Sequence, residues 1–90
     1  MNKADLVLAV AETAGLTRGD AARAVDAVLD QVIAALKAGG DVKLVGFGTF
    51  HVTHRAASSG RNPRTGEPML LDARNQPKFT AGKSLRDAIN

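Results

Sequence analysis

Asn62-Pro63-Arg64-Thr65-Gly66, set between Arg55 and Arg74, combines cationic side chains with a proline and a glycine. Such a stretch is too polar for a core, and its chemistry is the gripping of an anion. Upstream runs Arg55-Ala56-Ala57-Ser58-Ser59-Gly60-Arg61 and downstream Glu67-Pro68-Met69-Leu70-Leu71-Asp72-Ala73-Arg74, so two extended runs approach one turn from opposite sides. Gly60 and Gly66 supply conformational freedom around the turn, and Pro63 fixes its own φ. Arg55 and Arg61 stand six residues apart and would share a face on a regular strand. Arg64 adds charge at the tip and Arg74 on the return strand. Met69 and Leu71 make an apolar stripe on an arm with no core to enter. A rigid apolar Pro63 at the tip suits insertion between stacked base pairs, where a wedge partly unstacks a step and kinks a duplex. The competing reading is a charged, solvated ribbon whose edges merely resist aggregation.

Other chemistries fail on spacing. Ala81-Gly82-Lys83-Ser84 resembles the end of a phosphate-binding P-loop, but Pro77 stands where the opening glycine belongs. Gly46-Phe47-Gly48 lacks the third glycine of a dinucleotide fingerprint, and Phe47 and Phe50 read as core plugs beside a tight turn. His51 and His54, the only histidines, point to opposite faces of a strand and cannot share a metal. Asp20, Asp26 and Asp30 line solvated helix faces, while Glu67 and Asp72 sit alone on the arm. No nucleophile has a base beside it, so neither a catalytic residue nor a metal site is assigned, and no cofactor is expected.

The elements that would position the arm follow from periodicity. Asn2 caps a first helix with Asp5 near the positive end of its dipole, followed by Leu6, Val7, Val10, Ala11 and Ala14 at helical spacing, and Gly15 ends it. Thr17-Arg18-Gly19-Asp20 resembles a capping box with Asp in place of Glu. It opens a helix of about 21 residues by this spacing, with an apolar stripe of Ala21, Val25, Val28, Leu29, Val32, Ile33 and Leu36, stopped by Gly39-Gly40. Val42, Leu44, Phe50 and Val52 then alternate inward as strands, with Gly46-Phe47-Gly48 as a turn or bulge between. After the arm, Lys78-Phe79-Thr80-Ala81 resumes a strand, and Lys83 to Ile89 forms a short helix with Leu85 and Ile89 on its buried side. Strands grouped after two helices, with no helical crossover, argue for an α+β fold with an antiparallel sheet.

Composition limits what this fold achieves alone. Of 90 residues, 40 are apolar, but 16 of these are alanines, three are phenylalanines, and Trp and Tyr are absent. A chain this short buries roughly 60–65% of its unfolded surface, and an arm of some 20 residues takes part of it out of the core. Shared burial with a second copy is the expected remedy. The net charge of +3 is uneven: residues 1–45 hold five Lys/Arg against six Asp/Glu, and residues 46–90 seven against three. With no cysteine there are no disulfides, thiolate zinc sites or cysteine nucleophiles. No apolar run reaches the ~18 residues of a membrane span, and no signal peptide is recognisable, so a soluble, unsecreted chain without a membrane partner is expected.

Gly46-Phe47-Gly48-Thr49-Phe50, then Arg55 and Gly60-Arg61-Asn62-Pro63-Arg64-Thr65-Gly66, resembles the signature of the bacterial HU family of histone-like DNA-binding proteins, within the HU and integration host factor superfamily. The likeness extends from Met1-Asn2-Lys3 to Phe79, Ala81-Gly82-Lys83 and the closing helix. It implies an intertwined homodimer with a helical base, an antiparallel β saddle and two protruding β-hairpin arms that wrap the minor groove. In those terms 1–40 is the dimerisation base, 41–55 and 76–81 the saddle, 56–75 the DNA-binding arm and 82–90 the C-terminal helix. Arg55, Arg61, Asn62, Arg64 and Arg74 would lie along the arm, with Pro63 as the intercalating wedge. That wedge mechanism is general to minor-groove architectural binders, HU among them. Lys3, Lys83 and Arg86 would contact phosphates on the flank of the body, with Arg18 a weaker candidate, and Phe47, Phe50 and Phe79 would form an aromatic core shared between subunits.

Some residues depart from the family pattern. Ser58 and Ser59 fall where relatives often carry a basic residue, and Glu67 puts a negative charge just past the tip. Pro68, without a backbone N–H, is expected to disturb pairing beside the turn. The resemblance implies a non-enzymatic protein of the bacterial cytoplasm and nucleoid that binds, bends and compacts double-stranded DNA, preferring bent, nicked or gapped duplexes. Two alternatives stand beside it. One is a sequence-preferring heterodimer subunit like integration host factor; the other is a basic structural module for RNA or an acidic protein.

Overall fold

A computed structural model describes the backbone of residues 1–90 and all side chains except those of Ser58 and Leu71. The chain folds as three helices and five antiparallel strands, an α+β arrangement, in two compact units, Met1–Ala35 and Leu36–Asn90.

The first unit holds α1 (Lys3–Ala14) and most of α2 (Arg18–Lys37). Asn2 and Asp5 form a reciprocal capping box: the Asp5 N–H donates to Asn2 Oδ1 (2.9 Å) and the Asn2 N–H to Asp5 Oδ2 (3.1 Å). Asp5 therefore does more than face the helix dipole, because it satisfies a backbone donor that the helix start leaves open. Gly15 closes α1 in the left-handed region, with φ +66°. At the start of α2 the Asp20 N–H donates to Thr17 Oγ1 (3.1 Å), while the Asp20 carboxylate pairs with Arg23. α2 runs 20 residues before Gly39 turns the chain at φ +83°.

The second unit is built on a three-stranded sheet, β1 (Val42–Leu44), β2 (Gly48–Arg55) and β5 (Arg74–Ala81), with β2 central. Between β1 and β2 the Phe47 N–H donates to Leu44 O (2.9 Å), and Gly46 sits at φ +83°, the positive φ that the third residue of a type II turn requires. β3 (Ser58–Arg61) and β4 (Pro68–Leu71) form a separate two-stranded ribbon, and α3 (Lys83–Ile89) ends the chain. β5 begins at Arg74, four residues before the strand expected at Lys78.

Register sorts the sheet into two faces. Val42, Leu44, Gly48, Phe50 and Val52 alternate onto one, joined from β5 by Pro77, Phe79 and Ala81. Phe50 lies opposite Phe79 with ring centroids 4.7 Å apart, and Phe47 lies 5.4 Å from Phe79. Gly48 is buried because no larger residue fits. A Cβ there would stand 2.5 Å from Phe79 Cζ and 2.6 Å from Thr80 O.

The apolar interior of a single chain is slight. Among the described residues only Ala11, Ala21 and Val25 are buried hydrophobics, while Leu6, Val28, Leu29, Ile33, Leu44, Phe47 and Phe79 are all more than a third exposed. Ile89, expected on the buried side of α3, is 77% exposed. With a helix of seven residues, its last turn lies at the fraying end.

Candidate functional site

The arm is the feature that the sequence singles out, and its geometry depends on two prolines. Pro77 faces Val52 and has no N–H, so that pair is a non-hydrogen-bonded one and the odd-numbered positions of β2 carry the bonds to β5. The Gly82 N–H, donating to Phe47 O (2.8 Å), continues the same phase. In the outer ribbon Pro68 faces Arg61, and beside it the Asn62 N–H donates to Glu67 O (2.8 Å), so the even-numbered positions of β3 carry the bonds. Pro68 consequently disturbs nothing: it occupies a site where no N–H is required, contrary to the expectation from its type alone.

Between the two ladders Ala56-Ala57 and Asp72-Ala73 leave the strands, two residues from each side, and the register resumes in step from Arg55↔Arg74 to Ser58↔Leu71. The bonding phase nevertheless switches from odd to even across this break. Arg55 and Arg61 therefore leave opposite faces of the ladder, although their spacing on an uninterrupted strand would place them on one.

The tip is held by its own polar groups. The Arg64 N–H donates to Asn62 Oδ1 (2.9 Å), the Gly66 N–H to Asn62 O (2.7 Å), and the Glu67 N–H to Thr65 Oγ1 (3.3 Å). Gly66 has φ +71°, which favours glycine, whereas Gly60 lies within β3, outside the turn. Arg61 Nη1 donates to Gly66 O at 3.4 Å. The result presents Pro63, Arg61 and Arg64 to solvent, with half-buried Asn62 as the bracket of the turn. Met69 is 43% exposed; its expected stripe with Leu71 rests on a side chain outside the described residues, as does the departure at Ser58.

Arg74 belongs to β5, directly opposite Arg55 at the foot of the arm. Both leave the second face of the sheet, which carries Lys43 from β1, Thr49, His51, Thr53 and Arg55 from β2, and Arg74, Gln76, Lys78 and Thr80 from β5. No Asp or Glu occurs in any of the three strands. The sheet is thus apolar on one side and polar and cationic on the other. Lys43 and Lys78 were not singled out from the sequence. The polar residues at alternate positions 49, 51, 53 and 55 were the available signal, hidden by reading β2 only for its inward-facing Phe50 and Val52.

The body cations are more dispersed. Lys83 and Arg86 are exposed and lie three apart on α3, as neighbours on one helical face. In the helical unit, Lys3 at the start of α1 pairs with Asp26 of α2 at 2.5 Å. The hydrogen bond and charge of Asp26 raise the Lys3 pKa above its usual value. His51 Nε2 lies 3.0 Å from Thr80 Oγ1, and His54 Nδ1 lies 2.8 Å from Asn75 Oδ1 on the opposite face. Among the described residues no three His, Asp or Glu side chains cluster as metal ligands, and no helix is long and apolar enough to cross a membrane.

Comparison with known proteins places these features in a wider set. The family model described as "Bacterial DNA-binding protein" matches residues 1–90. DNA-binding protein HRL53 of Rhizobium leguminosarum is 63% identical over 90 residues, covering 100% of this chain and 99% of the relative. DNA-binding protein HU of Geobacillus stearothermophilus is 54% identical over 89 residues, covering 99% of each. Among solved structures, an Anabaena HU–DNA cocrystal matches with a TM-score of 0.89 at 45% identity, over 99% of this chain and 97% of that one. HU from Thermotoga maritima matches with a TM-score of 0.70 at 29% identity, over the full length of both.

Proposed function

The chain belongs to the bacterial DNA-binding protein family, the family of HU, and from that premise we propose that it is a histone-like protein that binds and bends double-stranded DNA. The carrying observation is the cationic arm, with Pro63 and Arg64 at a tip held outward by the Asn62 and Gly66 turn. Arg61 and Arg64 on the arm, and Arg55 and Arg74 at its foot, supply affinity by displacing counterions from phosphates. Pro63 acts as an apolar wedge at a base step of the minor groove. Asn62 shapes the tip and lies within reach of the same groove. Lys83 and Arg86 on α3 and Lys3 on α1 extend the path with phosphate contacts, and Lys3 must exchange Asp26 for phosphate to do so.

The protein works as a dimer. Leu6, Val28, Leu29 and Ile33 of the helices, and Leu44, Phe47 and Phe79 of the sheet unit, leave too much apolar surface in water for a chain with so small an interior. A second copy buries these faces, and Phe47, Phe50 and Phe79 form the shared aromatic core. The function is architectural and not enzymatic, and its setting is the bacterial nucleoid.

Sequence preference is low, because the arm carries charge and a wedge but no array of side chains arranged to read major-groove edges. Discrimination rests on deformability: nicked, gapped or already bent duplexes lower the cost of bending. The test is a salt-titrated binding comparison of nicked and intact duplexes of one arbitrary sequence. Tighter binding to the nicked duplex, with a steep salt dependence on both, supports the reading. Equal and weak binding to both would overturn it in favour of an RNA or acidic-protein partner.

A further inference from the structure

The outer ribbon of the arm is short of charge. Of the residues of β3 (Ser58–Arg61) and β4 (Pro68–Leu71), Arg61 alone carries a formal charge. The register shows what stands beside that cation. Arg61 faces Pro68 and Ser59 faces Leu70, both in non-hydrogen-bonded pairs, where side chains on neighbouring strands come closest. Alternation puts these four residues on one face of the ribbon. Pro68 is exposed and Leu70 is 83% exposed, so the chain itself barely covers either.

The nearby carboxylates bear on this face unequally. Glu67, whose carbonyl accepts the Asn62 N–H one step further out, alternates onto the other face. Asp72, two residues beyond Leu70, is the nearest negative charge on this side, and it lies past the end of β4, where the pairing is interrupted. Toward the tip the face runs directly into Pro63 and Arg64, which the Asn62 turn holds outward. An apolar patch between one cation and a cationic wedge matches a minor groove, whose rims are phosphate and whose walls are the apolar edges of deoxyribose.

Resting on the DNA-binding reading, we propose that Leu70, with Pro68 beside it, is a salt-independent DNA contact on the arm. The face that carries Arg61 lies along the groove, with the guanidinium at a phosphate and Leu70 against the sugar wall. Covering Leu70 removes apolar surface from water, which supplies affinity without releasing a counterion. Sugar walls are the same for every base pair, so the contact strengthens binding without adding sequence preference.

The experiment titrates one nicked duplex with the full-length protein, L70A, L70K and M69A over roughly 50–200 mM salt. L70A should bind about five- to twentyfold more weakly at every salt concentration, as expected for partial burial of a leucine side chain, with its line parallel to that of the unaltered protein. L70K should steepen the salt slope by about two units per dimer, because each arm then places a second cation on the DNA-facing side. M69A, altered on the opposite face, should stay within about twofold of the unaltered protein. Thermal unfolding of each variant separates a failure to fold from a lost contact. An L70A line that coincides with that of the unaltered protein, an unchanged slope in L70K, or an equal loss in M69A overturns the assignment to Leu70 while leaving the DNA-binding reading intact. Absence of salt-dependent binding by the unaltered protein would overturn both.

Discussion

Arg55 and Arg74 stand directly opposite one another where the saddle meets the arm, a like-charge pair across the ladder between β2 and β5. Two guanidinium groups on facing positions repel, at a cost of roughly 0.2–1 kcal/mol relative to a neutral pair. A fold that keeps them gains nothing from the free protein. They become favourable once an anion lies between or beside them.

Replacing one member should therefore separate stability from function. R74Q is expected to leave thermal stability unchanged or raise it slightly, while weakening binding to all DNA sequences alike and making the salt slope shallower by about one unit for each phosphate it no longer neutralises. Calorimetry and salt-titrated binding on the same preparations would check both halves. A lower melting temperature would show that the pair is structural.

Pro63 should affect shape more than affinity for charge. P63A keeps Arg61 and Arg64 and leaves the Asn62 and Gly66 hydrogen bonds of the tip available. The expected outcome is a smaller DNA bend, read by energy transfer between duplex ends, with a nearly unchanged salt slope. An unaltered bend angle would remove the wedge role from the tip.

Gly48 is fixed by the approach of Phe79 and the Thr80 carbonyl. G48A would force the aromatic ring or the β2–β5 ladder to shift, at a cost of about 1–3 kcal/mol as for other overpacked sites. For a domain of this size that corresponds to a melting temperature lower by roughly 5–20 °C, checked by thermal unfolding followed by circular dichroism. Little or no change would mean that the backbone yields more easily than the tight packing implies.

Stability should depend on protein concentration. If the exposed Leu6, Val28, Leu29, Ile33, Phe47 and Phe79 are buried only in a dimer, a hundredfold dilution removes about 2.7 kcal/mol of apparent stability. The melting temperature should fall accordingly, and F79A should lower it further at every concentration. A melting temperature independent of concentration would point to a monomer that folds alone.

Much of this protein was readable from local chemistry. Asn2, Gly15 and Thr17 marked helix ends because caps act over three or four residues, and the Asn2 and Thr17 side-chain oxygens accept the N–H three residues on; the return bond from the Asn2 N–H to Asp5 goes beyond the dipole role read for Asp5, and Asp20 pairs with Arg23 instead of completing the second box. The turn at Gly46 and the exposed tip around Pro63 were legible for the same reason: a positive φ or a fixed φ is a property of one residue. The scarcity of large apolar side chains also foretold an interior too small for one chain, as Ala11, Ala21 and Val25, the buried hydrophobics among the described residues, bear out.

Pairing was not legible, because register joins residues far apart in the chain and no local energy records it. The sequence placed Arg55 and Arg61 on one face by counting. Tertiary structure breaks the strand at Ala56-Ala57 and Asp72-Ala73, switches the bonding phase and separates them. The same register makes Pro68 harmless, puts Arg74 against Arg55, and gathers Lys43, His51 and Lys78 onto one face. Residue type determined which charges this chain carries. Only the alignment of β1, β2 and β5 decided which of them act together, since side chains on neighbouring strands meet only when the ladder brings their positions level.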